Sequence, residues 1–341
     1  MQFIQKIKKL IAKTILYNQI YQFKTSLPKR SCSDIFVYFG VVGDLVLYYN
    51  FIEQYCRATS KTLSIVTLKN TRPFLTYMDQ ENRYIDFDTS VFFDPDPTKR
   101  EWNASDEENF QKLSSLSPQN TYAMPYEIDF FTFLILNLIH TKNTLAFIAS
   151  GQSIIRQLLC KILFPKIQFI VLPVLASNPR IDTHSEAFFH LYKRRFSFIS
   201  LTENEPSLPY AVISPFASAK DKEYPYEKFK EVSSILYNKY GIRSIYLGLS
   251  DLNEEDTDSI SYEYNIPVEI LFERIKRCRI FIGNDSGLTH IALRYNKKTI
   301  VLFSRLKIYG LYFPYNNAIM ITNQTISDID PEEIVQKVIN D

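Results

Sequence analysis

Residues Arg279 to Leu293 read Arg-Ile-Phe-Ile-Gly-Asn-Asp-Ser-Gly-Leu-Thr-His-Ile-Ala-Leu: an apolar run stopped by glycine, a polar turn, then an amphipathic stretch. A buried strand ending at Gly283 and a helix starting near Gly287 would turn the first N–H groups of that helix, and the positive end of its dipole, towards a ligand. Such an end suits an anion such as a phosphate. Ser286 stands where a capping hydroxyl belongs, and Gly287 lets a phosphate or ribose approach the backbone. Asp285 has the acceptor oxygens to hold a ribose or sugar hydroxyl. The same spacing also describes an ordinary capped strand-to-helix turn.

Short apolar runs alternating with amphipathic stretches must position this turn. Strands are expected at Asp34–Phe39, Thr62–Leu68, Leu145–Ala149 and Ile167–Leu172, with helices from Asp44 to about Arg57 and from Gln152 to Leu163. After Thr202–Pro209, which has a linker's composition, a second series begins. Its strands are expected at Ala211–Ser214, Ser244–Leu247, Arg279–Ile282 and Thr299–Phe303. Its helices are expected at Tyr226–Tyr240, Val268–Arg277 and Leu288–Tyr295, with a last one opened by Pro331. This alternation signals parallel βαβ architecture. Residues 94–120, rich in Asp, Pro, Ser and Asn, read as an irregular insertion. Two α/β domains meeting near residue 200 are expected, with ligands at the carboxyl ends of the strands and in the cleft between lobes.

Composition narrows the classes. The 341 residues are 46% apolar and 22% charged, which excludes a disordered chain, a fibrous repeat and a polytopic membrane protein. Residues 1–30 hold seven basic residues and no acidic one, leaving 32 basic and 37 acidic residues for the rest, a net of −5. A nucleic-acid binder keeps positive charge on its folded body, so no nucleic-acid partner is expected. Within residues 1–30 the lysines interleave with Phe3, Ile4, Ile7, Leu10, Ile11 and Ile15 at helical spacing. Such a helix either lies on an anionic membrane or packs on the protein body. The longest apolar stretch, Phe130–Ile139, is about half of a membrane span. Cys32, Cys56, Cys160 and Cys278 form no CxxC pair, which fits a reducing cytosol. Only 8 glycines occur, against about 24 at an average usage of about 7%, so those retained mark backbone positions of special demand.

Three blocks, in order, resemble glycosyltransferase family 9, the ADP-heptose:lipopolysaccharide heptosyltransferases. Gly283-Asn-Asp-Ser-Gly-Leu-Thr-His-Ile-Ala292, with the strand Thr299–Phe303 after it, is similar to the family's C-terminal signature. Val37-Tyr-Phe-Gly-Val-Val-Gly-Asp-Leu-Val-Leu47 resembles its first strand and Gly-Asp turn. Ser214-Pro-Phe-Ala-Ser-Ala-Lys-Asp-Lys-Glu-Tyr-Pro225, followed by Phe229, resembles its donor-phosphate loop. The resemblance implies a GT-B fold, two Rossmann-like domains facing a central cleft, and inverting, metal-independent transfer of heptose from a nucleotide donor to a sugar hydroxyl.

Carried over residue by residue, the resemblance makes Asp44, beside the turn glycine Gly43, the catalytic base; without it, Asp44 reads as a helix N-cap. Lys222 matches the phosphate-binding lysine, with Lys220 a competitor two residues away, and Ser218 falls where a hydroxyl meets the phosphates. Asp285, Ser286, Gly287 and Leu288 match the donor-contacting turn that follows Gly283, and His290 the family's histidine; a lone helical His is otherwise a packed core residue. Glu254 and Glu255 are the acidic candidates for the donor ribose. The chain departs from the family at Phe216, where a glycine usually follows the proline of the phosphate loop. Val91-Phe-Phe-Asp-Pro-Asp96 resembles the Asp-x-Asp metal motif of the other large glycosyltransferase fold, but Pro95 and Pro97 mark a turn there, and no metal is expected.

The expected organisation is a basic amphipathic segment over 1–30, an acceptor-binding domain over 31–200 and a donor-binding domain over 201–341. The expected partners are a nucleotide-sugar donor acting as substrate, no separate cofactor, a glycolipid or glycan acceptor, and anionic membrane contacted through residues 1–30. The expected location is the cytoplasm, at the inner face of the cytoplasmic membrane. A non-catalytic nucleotide-sugar or glycan-binding paralogue and a sugar-nucleotide epimerase are the alternative readings.

Overall fold

A computed structural model describes residues 22, 30–40, 42–78, 82–88, 103–123, 130–150, 154–172, 180–195, 201, 207–217, 219–248, 254–304 and 316–340. Residues 1–21 and 23–29 of the basic segment, the Asp94-Pro-Asp96 motif, Gly151 and Ser218 lie outside the described residues. In chain order the elements are β1 (Arg30–Cys32), β2 (Ile35–Val37), α1 (Val42–Thr59), β3 (Ser64–Leu68), α2 (Arg72–Met78), β4 (Arg83–Phe87), α3 (Ala104–Ser115), β5 (Leu116–Pro118), β6 (Asn120–Ala123), α4 (Phe130–Leu138), β7 (Asn143–Ala149), α5 (Ile154–Leu163), β8 (Ile167–Leu172) and α6 (Arg180–Tyr192). They continue with β9 (Leu208–Ser214), α7 (Tyr226–Tyr240), β10 (Arg243–Gly248), β11 (Ile260–Tyr264), α8 (Val268–Arg277), β12 (Cys278–Asn284), α9 (Gly287–Arg294), β13 (Thr299–Ser304), β14 (Ala318–Asn323) and α10 (Pro331–Asn340).

The chain divides into two compact units that interleave along the sequence. One holds residues 1–40, 52–175 and 186–194, the other 41–51, 176–185 and 195–341. Each contains a six-stranded, wholly parallel sheet, ordered β4-β3-β2-β6-β7-β8 in the first and β11-β10-β9-β12-β13-β14 in the second. In both, the chain starts at a central strand, winds outward to one edge, then returns to build the other half. Ligands of such sheets sit where the winding reverses, outside the carboxyl ends of the two central strands. In the second unit those strands are β9 and β12, whose ends are Ser214 and Asn284.

The first unit is held by its aromatic-rich core and by one buried carboxylate. Asp34, 2% exposed, accepts a short hydrogen bond from the Tyr55 hydroxyl, bonds from the Asn120 N–H at 2.9 Å and its side-chain amide at 3.2 Å, and pairs with Lys61 at 3.5 Å. Burial, and then the bond to Asp34, push the Tyr55 phenol far above its ordinary range, so it stays a donor. Asp34 thus ties the start of β2 to α1 and β6. Asp34→Ala would orphan a half-buried N–H and the buried Tyr55 hydroxyl at once. We expect a loss of about 3 kcal/mol, seen as a lower urea midpoint; a change under about 0.5 kcal/mol would show that water replaces the carboxylate.

The stretch read as irregular needs correction. Beyond residue 102 it folds as α3, β5 and the start of β6. Asn103 caps the helix by accepting the Asp106 N–H at 2.8 Å, and Phe110 and Leu113 enter the core, where Phe87 and Phe110 lie 4.9 Å apart. The apolar stretch at 130–139 forms α4, whose Phe133, Leu134 and Ile135 are buried, and no described helix is long and apolar enough to cross a membrane. Helix α7 stops because Gly241 takes a left-handed conformation, φ 68°, and donates to Leu236 and Tyr237 carbonyls.

Candidate active site

Asn284 organises the carboxyl edge of the second sheet. Its side chain is fully buried; its amide donates to the Pro215 carbonyl at 2.7 Å and its oxygen accepts the Tyr224 N–H at 3.0 Å. One residue at the end of β12 therefore holds both ends of the loop that leaves β9. Tyr224 is further anchored by its hydroxyl, which donates to the Ile329 carbonyl at 3.0 Å, and by its edge-on contact with Phe229. Within the loop, the Ala217 N–H donates to Glu223 at 3.2 Å, and Lys220 pairs with the same carboxylate at 2.8 Å. Lys220 is otherwise in water, 91% exposed. Lys222 behaves differently: it turns inward and meets Asp285 at 2.9 Å.

Asp285 is the electrostatic centre of the group. Burial pushes its carboxyl up, but His290 and then Lys222 outweigh burial and hold it below its ordinary value of 3.8. His290 Nε2 lies 3.8 Å from the second Asp285 oxygen, too far for a hydrogen bond and close enough for electrostatic attraction. Ser286 occupies the N-cap position of α9 with extended backbone, yet its side chain caps no N–H. Its hydroxyl instead lies 3.2 Å from that of Thr289, which donates to the Asn284 carbonyl. The capping role expected of the Ser286 side chain is thus not filled. Leu288 follows in the first turn, half-buried. Gly283 pairs with Ser214; a Cβ on it would stand 3.1 Å from the Ser214 carbonyl and 3.3 Å from the Thr289 hydroxyl, so a larger residue here would have to push β12 and the end of β9 apart by a few tenths of an ångström.

The Gly-Asp turn meets this site within the second unit. A Cβ on Gly287 would fall 3.1 Å from Val42 and 3.2 Å from the Gly43 nitrogen, and one on Gly43 would fall 3.2 Å from the His290 ring and 3.5 Å from the Gly287 Cα. The first turns of α1 and α9 therefore touch backbone to backbone, which two side-chain-free residues permit. The contact continues where the Arg294 guanidinium lies over the Tyr49 ring at 5.1 Å. Helix α1 begins at Val42, so Asp44 lies inside its first turn and does not cap it, correcting the N-cap reading.

Of the residues singled out from sequence, Gly43, Asp44, Lys222, Gly283, Asp285, Ser286, Gly287, Leu288 and His290 gather around these two helix starts and the loop before Pro225. Glu254 is held at 2.9 Å by Lys230, and Glu255 is exposed. The Phe216 ring is turned over Gly248, where a Cβ would come within 2.5 Å of it, and faces Tyr264 with ring centres 6.4 Å apart. Asn284 and Glu223 were missed as organisers; their types alone carry no such signal, because each acts through a partner distant in space or on the backbone. Among the described residues no three His, Cys, Asp or Glu side chains gather as a metal site.

Residues 189–332 match the model of glycosyltransferase family 9 (heptosyltransferase). The lipopolysaccharide heptosyltransferase 1 of Campylobacter coli is 27% identical over 143 residues, 38% of this chain and 41% of that protein, so the chain spans about two fifths of this curated relative. In fold the chain is similar to E. coli heptosyltransferase WaaC with ADP, with a TM-score of 0.68 at 12% identity over 89% of this chain and 98% of that one. It is similar also to E. coli ADP-heptose lps heptosyltransferase II, with a TM-score of 0.64 at 14% identity over 90% and 97%. Both likenesses speak for the GT-B fold. Residues 189–332, rather less than half of the chain, thus resemble glycosyltransferase family 9, and the chain as a whole has two parallel α/β sheets and the GT-B fold of these heptosyltransferase structures.

Proposed function

We propose that this protein is an inverting, metal-independent glycosyltransferase that moves heptose, or a related sugar, from a nucleotide-sugar donor, ADP-heptose first among them, to a hydroxyl of a lipopolysaccharide core or similar surface glycan. The observation that carries the reading is the close approach of Gly43 to the Gly287 backbone and the His290 ring, which sets the half-buried Asp44 beside a helix start fitted for an anion.

In the proposed reaction the acceptor hydroxyl attacks the anomeric carbon of the donor sugar as its proton passes to the Asp44 carboxylate. The bond from that carbon to the diphosphate oxygen breaks, and the nucleoside diphosphate leaves with the electron pair. Lys222, the first turn of α9 and His290 are the groups placed to hold the growing negative charge. Asp285, displaced from Lys222 by the diphosphate, is free to accept a sugar hydroxyl. Phe216, Gly248 and Tyr264 form the aromatic side of the same sheet edge, a surface suited to a base or ribose. The acceptor is proposed to reach the enzyme at the inner face of the cytoplasmic membrane, with residues 1–30 on the anionic lipid.

Thermal shift with ADP, UDP, GDP, CMP and ADP-heptose tests the donor. A ligand at about 100 times its Kd stabilises the native state by about 2.7 kcal/mol, and we expect ADP and ADP-heptose to raise Tm clearly above the others. A larger shift with UDP than with ADP would overturn the heptose assignment. Stabilisation by ADP-heptose with no sugar release to any glycan acceptor would instead favour the non-catalytic paralogue.

A further inference from the structure

Helix α5 carries apolar side chains on both of its faces. Inward, Cys160 is buried, and Phe164 just beyond the helix stacks on Phe133 with ring centres 6.0 Å apart. Outward, Ile154, Leu158 and Ile162 follow one another at one-turn spacing and are 81%, 58% and 65% exposed, with Leu163 at 47%. A run of large aliphatic side chains in water is rare on a soluble surface and marks a place that something covers.

The charge around the stripe indicates what covers it. Within residues 154–166, the helix and the turn after it, the sequence holds basic residues, Lys161 and Lys166 among them, and no acidic one, although the chain beyond residue 30 is net acidic. Lys161 lies on the helix beside Ile162, and Lys166 follows in the turn before β8; both are exposed. A second copy of this chain seated symmetrically on the stripe would set these lysines against their own counterparts. An acidic bilayer meets both features at once, taking aliphatic side chains below its headgroups and ammonium groups among its phosphates. We propose that the α5 face of the first unit docks on an anionic lipid surface, with Ile154, Leu158 and Ile162 inserted and Lys161 and Lys166 on the lipid phosphates. This deepens the membrane contact proposed above through residues separate from 1–30, and it does not depend on the donor or on the chemistry.

The test is co-sedimentation of the full-length chain with phosphatidylglycerol–phosphatidylcholine vesicles against phosphatidylcholine alone. The wild type should pellet with the anionic vesicles. The triple variant Ile154→Glu, Leu158→Glu, Ile162→Glu should partition at least about tenfold more weakly, with unchanged circular dichroism and unchanged Tm shift by nucleotide. Leu158→Trp gives an independent reading, because an inserted indole should blue-shift on adding anionic vesicles. Undiminished vesicle binding by the triple variant, or no blue shift at Trp in place of Leu158, would overturn the proposal. So would a concentration-dependent dimer in light scattering that the triple variant abolishes, since the face would then belong to a second copy. Loss of transfer activity with vesicle binding intact would strike the catalytic reading and leave this one standing.

Discussion

Asp44→Asn should lower sugar transfer by about 10²- to 10⁴-fold while leaving the nucleotide-induced rise in Tm in place. Asn keeps the shape of the side chain and its place in the first turn of α1. What it removes is the ability to take a proton, together with a favourable charge near the helix start worth about 0.3–1 kcal/mol. The expected signature is therefore a large fall in kcat with a small change in stability and little change in donor KM. Activity within tenfold of wild type would leave Asp44 as no more than an acidic first-turn residue, and the base would have to be sought elsewhere.

The second large effect is expected at Lys222. Lys222→Ala removes the cation proposed for the departing diphosphate, and a loss of about 10²- to 10³-fold in kcat is expected, with a raised donor KM. Lys222→Arg should recover part of this; Lys220→Ala, on a side chain 91% exposed, should change transfer little. A pH effect on stability comes with it. Asp285 is pushed up by burial and pulled below 3.8 by His290 and Lys222, so its contribution is present above that value and lost as pH falls through the lower folded-state value. Without Lys222 the folded-state value rises, and acid unfolding of the variant should begin at a higher pH than in wild type. Equal kcat for wild type and Lys222→Ala would remove Lys222 from the proposed chemistry.

Much of the second unit could be read from local signals. Pro225 before α7 and Gly241 after it bound a helix whose limits were expected at Tyr226 and Tyr240, and Pro267 does the same at the start of α8. Strand β8 was legible as a bounded apolar run. Several of the elements that escaped are those whose apolar residues are diluted, whereas α4 escaped because a nearly unbroken apolar run carries no helical period. Helix α3 hides Phe110 and Leu113 among charged and polar neighbours, and the edge strands β4, β11 and β14 mix polar residues on their half-buried faces. At the site, the glycine-marked turns were visible because the chain holds so few glycines. That Gly43 and Gly287 serve the same contact was not visible, since nothing in either turn names its partner. Phe216 stood out in the sequence only as a departure from the family's glycine; the space its ring needs is supplied by Gly248, on the neighbouring strand.

The Asn284 side chain holds the Pro215 carbonyl and the Tyr224 N–H together, and this has a bearing on the cost of binding. A loop that is loose before a ligand arrives must give up conformational freedom when it closes, and that loss is subtracted from affinity. Here both ends of the segment carrying Lys220 and Lys222 are fastened to one buried amide before any donor is present, so the span left to be ordered is short. Preorganisation of this kind lets a small, highly charged ligand bind without recruiting a long lid, and it makes a single buried amide the guardian of the loop's entropy.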